Sequence, residues 1–400
     1  MRLLARLATA ALLTVTPLTA VGTATADTPA TTTADTHQPP PAPLHDAARP
    51  IPGRYIVTLH KGINPAQLAK RLGLRPTFHY STVLNGFAAP LTHTQLAAVR
   101  KNPGVRSVEQ DATVSAPPTP ARPQRSPAAS WGLDRIDQRF LPLDDNFSTA
   151  GSGQGVTAYI MDTGIDYTHP DFGGRARPGF DAIGDGRNGA DCNGHGTHVA
   201  GTVGGSTFGV ARKVSLVSVR VLGCDSRGSW SGIIAGFEWV ARNAHQPATL
   251  NASLGGDRTA AVNEAATAVS DRGVLPVVAA GNSNIDACRV SPASAARVLA
   301  VGATNRYDEE TDFSNWGTCL DLYAPGRAIV SAKLGGGSVA LDGTSMAAPH
   351  VTGVASLYKA EHPNATPAEV HDFLTDESTK DIVQNLSDNS PNRLLFTDGL

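Results

Sequence analysis

The 400-residue sequence is poor in aromatic and charged residues and has no excess charge of either sign. Aromatic residues make up 6% of the chain and charged residues 17%, and 33 basic against 35 acidic side chains leave a formal net charge of −2. This balance argues against nucleic acid or an anionic membrane surface as a partner. The 41% share of apolar residues is typical of a globular chain, and the length suits one large domain with a small one.

The chain also lacks an apolar run of the roughly 20 residues that a membrane-spanning helix requires. At its start, Arg2 and Arg6 accompany a short apolar run from Leu7 to Val15, and Ala24-Thr25-Ala26 supplies small residues for cleavage. This arrangement is typical of a signal peptide over residues 1–26. We therefore expect the protein to be secreted and extracellular, with no membrane partner.

Cysteine is scarce, and its spacing gives little support to a metal site. An oxidising compartment favours disulfides, and four cysteines allow three pairings. None of the two-residue spacings typical of zinc sites is present. The cysteines are Cys192, Cys224, Cys288 and Cys319.

Two segments rich in proline and small or polar residues divide the chain. Residues 27–50 predict a disordered leader, and residues 115–130 predict an exposed linker. Between them, residues 51–114 follow a β-α-β-β-α-β pattern, which predicts a small α+β domain with an open sheet. Residues 131–400 remain as the main domain.

The main domain combines nearly continuous apolar runs with helical segments, which predicts a parallel sheet covered on both faces. The predicted strands are Val156–Met161, Val214–Leu222, Leu250–Ser253, Val274–Ala280 and Val298–Val301. The predicted helices include His195–Val203, Ser231–Ala244, Ala260–Arg272 and Met346–Lys359.

Three motifs of this domain supply an aspartate, a histidine and a serine. Asp162 ends an apolar strand, His195 lies between two glycines at a helix start, and Ser345 opens another helix. Each residue has an ordinary structural alternative: a turn cap, a solvated loop histidine and a helix cap or packing contact. Together they favour a hydrolase with a serine nucleophile, because the hydroxyl needs a base and the base needs an orienting group.

The sequence around these residues resembles the subtilisin-like serine proteases, and within them the proteinase K and aqualysin branch. The resemblance covers roughly residues 131–395, and the preceding domain resembles the inhibitory propeptide of that family. It implies an α/β, three-layer subtilisin-like domain with a mostly parallel central sheet, preceded by a small α+β ferredoxin-like propeptide domain. By this resemblance Asp162 orients the base, His195 is general base and acid, and Ser345 is the nucleophile.

The same resemblance assigns substrate-binding roles. Asn282, whose alternative is a turn after a strand, donates its amide to the oxyanion beside the Ser345 N–H. Peptide substrate lies between Gly228-Ser229-Trp230 and Ser253-Leu254-Gly255-Gly256, by strand addition. The pocket walls, Ala279-Ala280-Gly281 with Leu254-Gly255, are small and uncharged. We therefore expect broad specificity, with apolar or aromatic residues preferred before the cut bond.

Disulfides and calcium also follow from the resemblance. The branch pairs its first cysteine with the second and its third with the fourth, which implies Cys192–Cys224 and Cys288–Cys319. Calcium is implied as a structural ion, although oxygen ligands occur in any loop. One set is Asp134, Asp137, Gln138, Asp144 and Asn146. A second set is the backbone oxygens of Ala296 and Val298 with the Asp321 carboxylate.

We interpret the protein as a secreted serine endopeptidase that forms an acyl-enzyme and is made as a self-cleaving zymogen. Its own propeptide acts as an intramolecular inhibitor, and proteins and peptides are its substrates; we expect a monomer. The maturation cut is expected between Asp111 and Ser130, nearest Val114-Ser115.

Two other functions stay open at the level of sequence. An esterase or peptide ligase would use the same triad, because all share one acyl-enzyme. A secreted binding module would keep the fold without catalysis. Fluorophosphonate labelling of Ser345, and its dependence on His195, discriminates the enzyme from the binding module.

Overall fold

The computed structural model describes residues 40–116 and 130–400. The predicted signal peptide, residues 27–39 of the predicted leader and most of the predicted linker lie outside the described residues. Within the two described ranges, no helix combines the length and apolar character needed to cross a membrane.

Residues 40–116, called the N-terminal domain below, form a sheet with two helices. Its elements are β1 (Leu44–His45), β2 (Pro50–Leu59), α1 (Pro65–Arg71), β3 (Phe78–Tyr80), β4 (Gly86–Pro90), α2 (His93–Lys101) and β5 (Val105–Ser115). From β2 onward this is the predicted β-α-β-β-α-β pattern. The strand order is β1-β5-β2-β4-β3. Both helices start at side-chain caps, Asn64 for α1 and Thr92 for α2.

Residues 40–50 differ from the predicted disordered leader. β1 pairs in parallel with β5, and the Val108 N–H donates to Pro43 O at 2.9 Å. The Thr113 N–H donates to Arg49 O at 3.1 Å. The proline-rich composition indicated no ordered structure, but β5 offers unpaired backbone groups along its edge and these fix the segment.

The main domain, residues 130–400, alternates strands and helices. Its first elements are α3 (Trp131–Ile136), β6 (Thr157–Asp162), β7 (Ala176–Asp181), α4 (His195–Gly204), β8 (Ser215–Arg220), β9 (Arg227–Ser229), α5 (Trp230–Asn243), β10 (Ala248–Ala252), β11 (Gly256–Asp257) and α6 (Ala260–Asp271). Its later elements are β12 (Pro276–Ala279), β13 (Val290–Ser291), β14 (Leu299–Thr304), β15 (Leu322–Pro325), β16 (Ile329–Ala332), β17 (Ser338–Leu341), α7 (Thr344–Glu361), α8 (Pro367–Asp376), β18 (Thr379–Lys380) and β19 (Arg393–Leu394). Short 3₁₀ turns lie at Pro170–Phe172 and Ala287–Arg289.

A nine-stranded sheet forms the middle layer, in the order β18-β19-β15-β14-β12-β10-β6-β8-β7. Neighbouring strands are parallel except for β18 and β19, which are antiparallel. The five predicted strands correspond to β6, β8, β10, β12 and β14, so the mostly parallel sheet is confirmed. Such a sheet is covered on both faces, which explains why its strands are apolar throughout.

The two faces of the sheet carry separate apolar cores. Along β6, Ala158 and Ile160 belong to the core shared with α4 and α7, whereas Tyr159 and Met161 belong to the core shared with α5 and α6. Tyr80 and Val83 of the N-terminal domain extend this second core. The N-terminal domain therefore packs against the main domain through buried apolar side chains.

The carboxyl ends of β6 and β10 define the edge at which the candidate site lies. The two strands are in parallel register, with Met161 opposite Ala252, so Asp162 and Ser253 follow on neighbouring strands. Open parallel sheets characteristically carry their ligand sites at this edge. The N–H groups of Val221 and Leu222 both donate to Asp162 O, which ends β8 earlier than the sequence predicts.

Candidate active site

Asp162 and His195 form a buried, hydrogen-bonded pair at this edge. Asp162 ends β6, His195 begins α4, and His195 Nδ1 lies 2.7 Å from Asp162 Oδ1. Burial lowers the pKa of His195, but the charge and hydrogen bond of the Asp162 carboxylate, with a smaller contribution from the Asp191 charge, outweigh this, and the pKa is raised. The pair favours the tautomer with a proton on Nδ1, which leaves Nε2 as the base.

A buried aspartate that the sequence analysis missed, Asp191, organises the start of α4. Its carboxylate accepts the Thr163 hydroxyl at 2.9 Å and the N–H groups of Gly194 and Thr197, each at 3.0 Å. The Thr163 hydroxyl in turn accepts the Gly196 N–H at 2.9 Å. An acidic residue just before a helix was the available signal, because carboxylates cap helix starts.

His198, one turn beyond His195 on α4, takes no part in the pair. It is fully buried, and its Nε2 donates to Ile329 O at 3.0 Å. Burial lowers the pKa of His198 to about 3. His198 is therefore a neutral packing residue.

Ser345 is the second residue of α7 and is buried. Its hydroxyl donates to Ser253 O at 3.3 Å, and the Ser253 hydroxyl donates to Ser345 O at 2.9 Å. Because Ser253 follows β10 beside the end of β6, Ser345 reaches the same edge as Asp162 and His195. His195 Nε2 is buried and has no hydrogen-bonding partner among the described residues.

The Asn282 amide is held with its nitrogen beside the start of α7. Asn282 Oδ1 accepts the Thr344 N–H at 2.9 Å and the Thr344 hydroxyl at 2.7 Å. The Thr344 hydroxyl also accepts the Gly281 N–H at 3.0 Å. Gly343 has φ of 150°, and a Cβ there would lie 2.9 Å from Asn282 Nδ2. A glycine at this position lets the Asn282 amide approach the residue before Thr344.

The end of β5 lies as an extended strand between two segments of the main domain. Residues Thr113–Ser115 pair antiparallel with β9, and Ser115 also bridges to Gly255. The Ala116 N–H donates to Ser226 O at 3.1 Å. Both segments that the sequence predicts for holding peptide therefore contact an extended chain.

Trp230 differs from its predicted place in a strand. Only Gly228 and Ser229 of that segment lie in β9; Trp230 begins α5 because the Ser229 hydroxyl caps that helix. The Trp230 ring still lines the cleft: a Cβ on Gly256 would lie 3.0 Å from it and 3.4 Å from the Val114 side chain. Val114 and Trp230 therefore both lie beside Gly256 and belong to the same buried apolar cluster.

The residues predicted as pocket walls lie next to Asn282. Ala279 ends β12, and Ala280 and Gly281 connect it to Asn282. Ala279, Ala280 and Leu254 are all buried. These side chains are uncharged and apolar, and the preference for uncharged substrate residues stays a prediction.

Carboxylates of the N-terminal domain bind the starts of α5 and α6. Glu109 accepts the Thr259 hydroxyl at 2.7 Å and the Ala261 N–H at 3.1 Å. Asp111 accepts the Ser231 N–H at 3.0 Å, and burial raises the pKa of Asp111. Helix starts attract negative charge, so both contacts favour docking of the two domains.

Glu238 of α5 makes the reciprocal contact. Its nearly buried carboxylate accepts three consecutive N–H groups of the N-terminal domain: Ser81 at 3.2 Å, Thr82 at 2.9 Å and Val83 at 3.0 Å. Hydrogen bonds to a charged group are stronger than neutral ones. One main-domain side chain therefore holds an entire turn of the N-terminal domain.

Both predicted disulfides are present. Cys192 is bonded to Cys224, and Cys288 to Cys319. Cys192 lies three residues before His195, so the first bond ties the loop that precedes α4 to the segment that leads into β9. In the chain-entropy model, each of these closed loops adds ~3–4 kcal/mol to the free energy of unfolding.

The first predicted calcium set is a cluster of oxygen donors. The Asp134 carboxylate accepts the N–H groups of Asp144 at 3.3 Å and Asp145 at 2.9 Å, and Asp137 accepts the Ser148 N–H at 2.7 Å. Burial raises the pKa of Asp134, and the charges of Asp144 and Asp145 add to this. Such hard oxygen donors are the ligand type of calcium, but an ion here would compete with the N–H groups that these carboxylates accept. Gln138 and Asn146 complete this set in the same loop.

The second predicted calcium set fits a cation poorly. Ala296, Val298 and Asp321 line one cavity of about 550 Å³. The Asp321 carboxylate is engaged by His371 Nε2 at 3.1 Å and by the Ala300 N–H at 2.7 Å. A cation at this place would have to displace His371, a competitor that the sequence analysis did not foresee.

Two family models match the chain. Residues 153–396 match the model described as the Subtilase family, and residues 69–117 match the model described as Peptidase inhibitor I9. The first match lies in the main domain, and the second runs from α1 through β5.

Named relatives give the same result. Over 314 residues the chain is 47% identical to alkaline serine exoprotease A of Vibrio alginolyticus, a match that covers 78% of this chain and 59% of that protein. Over 379 residues it is 44% identical to an extracellular serine proteinase of Thermus sp. strain Rt41A, covering 88% and 91%. A crystal structure of a cold adapted subtilisin-like serine proteinase matches with a TM-score of 0.66 and 48% identity, over 68% of this chain and 99% of that one.

Proposed function

The chain belongs to the subtilase family of serine endopeptidases, and from that premise we propose that Asp162, His195 and Ser345 are its catalytic triad. The observation that carries the proposal is the 2.7 Å contact of His195 Nδ1 with Asp162 Oδ1, at the sheet edge that Ser345 also reaches. The unpaired Nε2 is the proton acceptor that a serine nucleophile needs. A binding module without catalysis has no use for this buried pair.

The reaction we propose proceeds through an acyl-enzyme. The Ser345 hydroxyl gives up its hydrogen bond to Ser253 O and passes its proton to His195 Nε2. At the same time Ser345 Oγ forms a bond to the carbonyl carbon of the peptide. The tetrahedral intermediate expels the amine, which takes the proton from His195. Water then attacks the ester by the same route and regenerates Ser345, while the Asp162 charge stabilises the imidazolium in both halves.

Asn282 is the side-chain donor to the oxyanion in this scheme. Its Oδ1 is occupied by Thr344, so Nδ2 is the group left to donate. The Ser345 backbone N–H, at the start of α7, is the second donor. Removal of such a side-chain donor costs on the order of 10²–10³ in turnover, a magnitude established on a subtilisin itself.

The substrate is proposed to be an extended peptide held between β9 and residues 253–256. Backbone pairing on both sides makes binding depend little on sequence. The apolar Trp230 ring beside Val114 and the small walls from Ala279 to Gly281 favour uncharged side chains. We therefore propose broad endopeptidase activity with apolar or aromatic residues before the cut bond.

The precursor is proposed to be a secreted zymogen inhibited by its N-terminal domain. Ser115 lies opposite Gly255, two residues beyond the Ser253 carbonyl that accepts the Ser345 hydroxyl. Because the pairing is antiparallel, Ala116 lies nearer than Val114 to the level of Ser253 along this strand. We therefore propose a maturation cut on the C-terminal side of Ser115, slightly beyond the Val114-Ser115 position favoured by the sequence.

The pH dependence of peptide hydrolysis tests this function. Activity requires neutral His195, and the neutral form predominates above the pKa, which is raised from about 6.5. We expect kcat/KM of the processed protein on an apolar peptide to increase with pH and to reach half its plateau above pH ~6.5. Activity that falls as the pH rises over this range would contradict the proposed role of His195. In a comparison of peptides, a preference for charged residues before the cut bond would contradict the proposed specificity.

Replacing Glu238 by alanine is expected to speed the release of the N-terminal domain after processing. The change removes bonds to three N–H groups, and a hydrogen bond to a charged group contributes ~1.5–3 kcal/mol, so we expect release at least about tenfold faster. The measurement is the rate at which activity appears in freshly processed protein.

Glu264→Ala is the matched control for this release experiment. Glu264 pairs with Arg106 across the same interface, but both side chains are more than 40% exposed. An exposed ion pair contributes little, so a change below about threefold is expected. Equal release rates in the two variants would show that Glu238 has no special role in docking.

Calcium is proposed at the first set, where it would brace the loop after α3. With calcium at ~100 times its dissociation constant, bound ion contributes about 2.7 kcal/mol, so chelation should lower Tm by several degrees. Asp137→Ala should abolish this response, while Asp321→Ala should leave it intact. An unchanged Tm on chelation would contradict calcium binding. Loss of the response only in Asp321→Ala would mean that calcium binds at the second set.

A further inference from the structure

Asn315 is a buried side chain that the triad and the cleft do not use, yet it holds the loop that carries Asn282. Its Oδ1 accepts the N–H groups of Ser283 and Ile285, each at 3.1 Å, and its Nδ2 donates to Ala280 O at 2.8 Å. These contacts flank Asn282 on both sides in sequence. Asn315 is only 1% exposed, so water does not replace them.

The loop wraps the Asn315 carboxamide closely. The Asn315 backbone N–H donates to Gly281 O at 2.9 Å. Gly281 has φ of +105°, and a Cβ there would lie 2.4 Å from Asn315 Nδ2. Only glycine satisfies both the conformation and the contact, so the position next to Asn282 is shaped around this one side chain.

Asn282 is consequently held from two directions. Thr344 fixes the end of its side chain through Oδ1, while Asn315 fixes the backbone on either side of it. We propose that Asn315 is a positioning residue for the oxyanion donor, acting through Asn282 without touching substrate. This inference rests on the proposed role of Asn282 and deepens it.

The segment that carries Asn315 is itself tied to the same loop. The Trp316 indole N–H donates to Asn284 Oδ1 at 2.9 Å, and the Ala287 N–H donates to Trp316 O at 2.8 Å. The Cys288–Cys319 disulfide then joins the ends of the two segments. The Asn315 segment is thus held in place by hydrogen bonds and by the disulfide, and Asn315 in turn holds the loop that carries Asn282.

The consequence is specific to transition-state binding. Oxyanion donors act only when they are aimed at the developing charge, and a displacement of about 1 Å costs ~10² in rate. Truncating Asn315 removes the shared partner of Ser283 N, Ile285 N and Ala280 O, so the partly exposed loop that carries Asn282 loses the contacts that hold it in place. Backbone pairing of the peptide with β9 does not depend on this loop, but Ala280 and Gly281, the proposed pocket walls, do contact Asn315, so a small rise in KM is expected as well.

The test compares turnover with binding in Asn315→Ala. We expect kcat to fall by about 10- to 100-fold with KM changed by less than about threefold. Affinity for a peptide aldehyde, whose adduct with the serine places an oxygen in the oxyanion site, should fall with kcat, whereas affinity for a product peptide should not. Asn315→Asp, which keeps an oxygen at the Oδ1 position to accept the Ser283 and Ile285 N–H groups, should recover part of kcat and serves as the test variant if alanine prevents folding. Unchanged kcat in both variants, or a loss confined to KM, overturns the inference.

A double-mutant cycle separates this inference from the function on which it rests. In an Asn282→Ala background, Asn315→Ala should change kcat by less than about threefold, because the donor that it positions is gone. Asn284→Gly, which cuts the outer tie to Trp316 and suits the positive φ of 52° at that residue, is the loop control and should stay within about threefold of wild type.

Each outcome of the cycle has one meaning. Additive losses, or a loss in Asn284→Gly equal to that in Asn315→Ala, overturn positioning by Asn315 and leave the role of Asn282 standing. Full turnover in Asn282→Ala alone overturns the proposed oxyanion role itself.

Discussion

Ser345→Ala is expected to yield a precursor that stays uncut between the N-terminal domain and the main domain. The variant keeps the fold, because alanine fits the space and the start of α7 is capped by other contacts. It lacks the oxygen that forms the acyl-enzyme, and the loss of turnover should be on the order of 10⁶, the size known for a subtilisin. Mass spectrometry of the purified variant should show one chain that includes both domains.

Ser356→Ala is the control on the same helix. The Ser356 hydroxyl is also buried and exchanges a 2.9 Å hydrogen bond with Thr249, but it lies three turns away along α7. This variant should be cut and active. Normal cutting of purified Ser345→Ala, with no other protease present, would mean that a different enzyme performs maturation.

Asp162→Asn has the second largest expected effect, with kcat/KM falling on the order of 10⁴. The asparagine can occupy the same volume, but it removes the charge that stabilises the imidazolium. It also removes the charge and hydrogen bond that contribute most to raising the pKa of His195; the smaller effect of the Asp191 charge remains, and burial, which lowers this pKa, then dominates. The remaining activity should therefore rise at lower pH than that of the wild type.

The control for this variant is Asp166→Asn. Asp166 lies four residues further along the same loop and accepts the Thr168 N–H at 3.0 Å, with no contact to His195. Its kcat/KM and pH profile should match the wild type within about threefold. If Asp162→Asn kept the wild-type pH profile, the raised pKa of His195 would need another cause than Asp162.

The sequence was most informative where a residue's role follows from local pattern. The apolar run that ends at Asp162 predicted both the strand and the edge at which the pair with His195 forms. The helix predicted from Met346 to Lys359 is likewise a local feature, and the structure has it as α7. The disulfide pairs came from family resemblance, because spacing alone left three pairings.

Residues whose role depends on distant partners were missed. Asp191 and Asn315 are ordinary polar residues in sequence, and only the folded chain surrounds each with several N–H donors. Nothing in the local sequence around His371 indicated that this residue of α8 would contact the Asp321 carboxylate. Such contacts join segments up to fifty residues apart, which no local pattern encodes.

Elements that exist because of the N-terminal domain were also hard to predict. β9 has three residues and pairs with the end of β5, so its strand geometry depends on the chain lying in the cleft. β1 likewise depends on the edge of β5. Composition marked residues 40–50 as disordered because it reports local preference and not the pairing that a neighbouring edge provides.

The central claim is that one serine is made nucleophilic by one buried histidine–aspartate pair. The most direct measurement is mass-spectrometric mapping of a fluorophosphonate adduct on the processed protein, with His195→Ala alongside. We expect a single adduct on Ser345, forming faster as pH rises through the pKa of His195, and almost none in His195→Ala. An adduct on another residue, or equal labelling of the two proteins, would contradict the account.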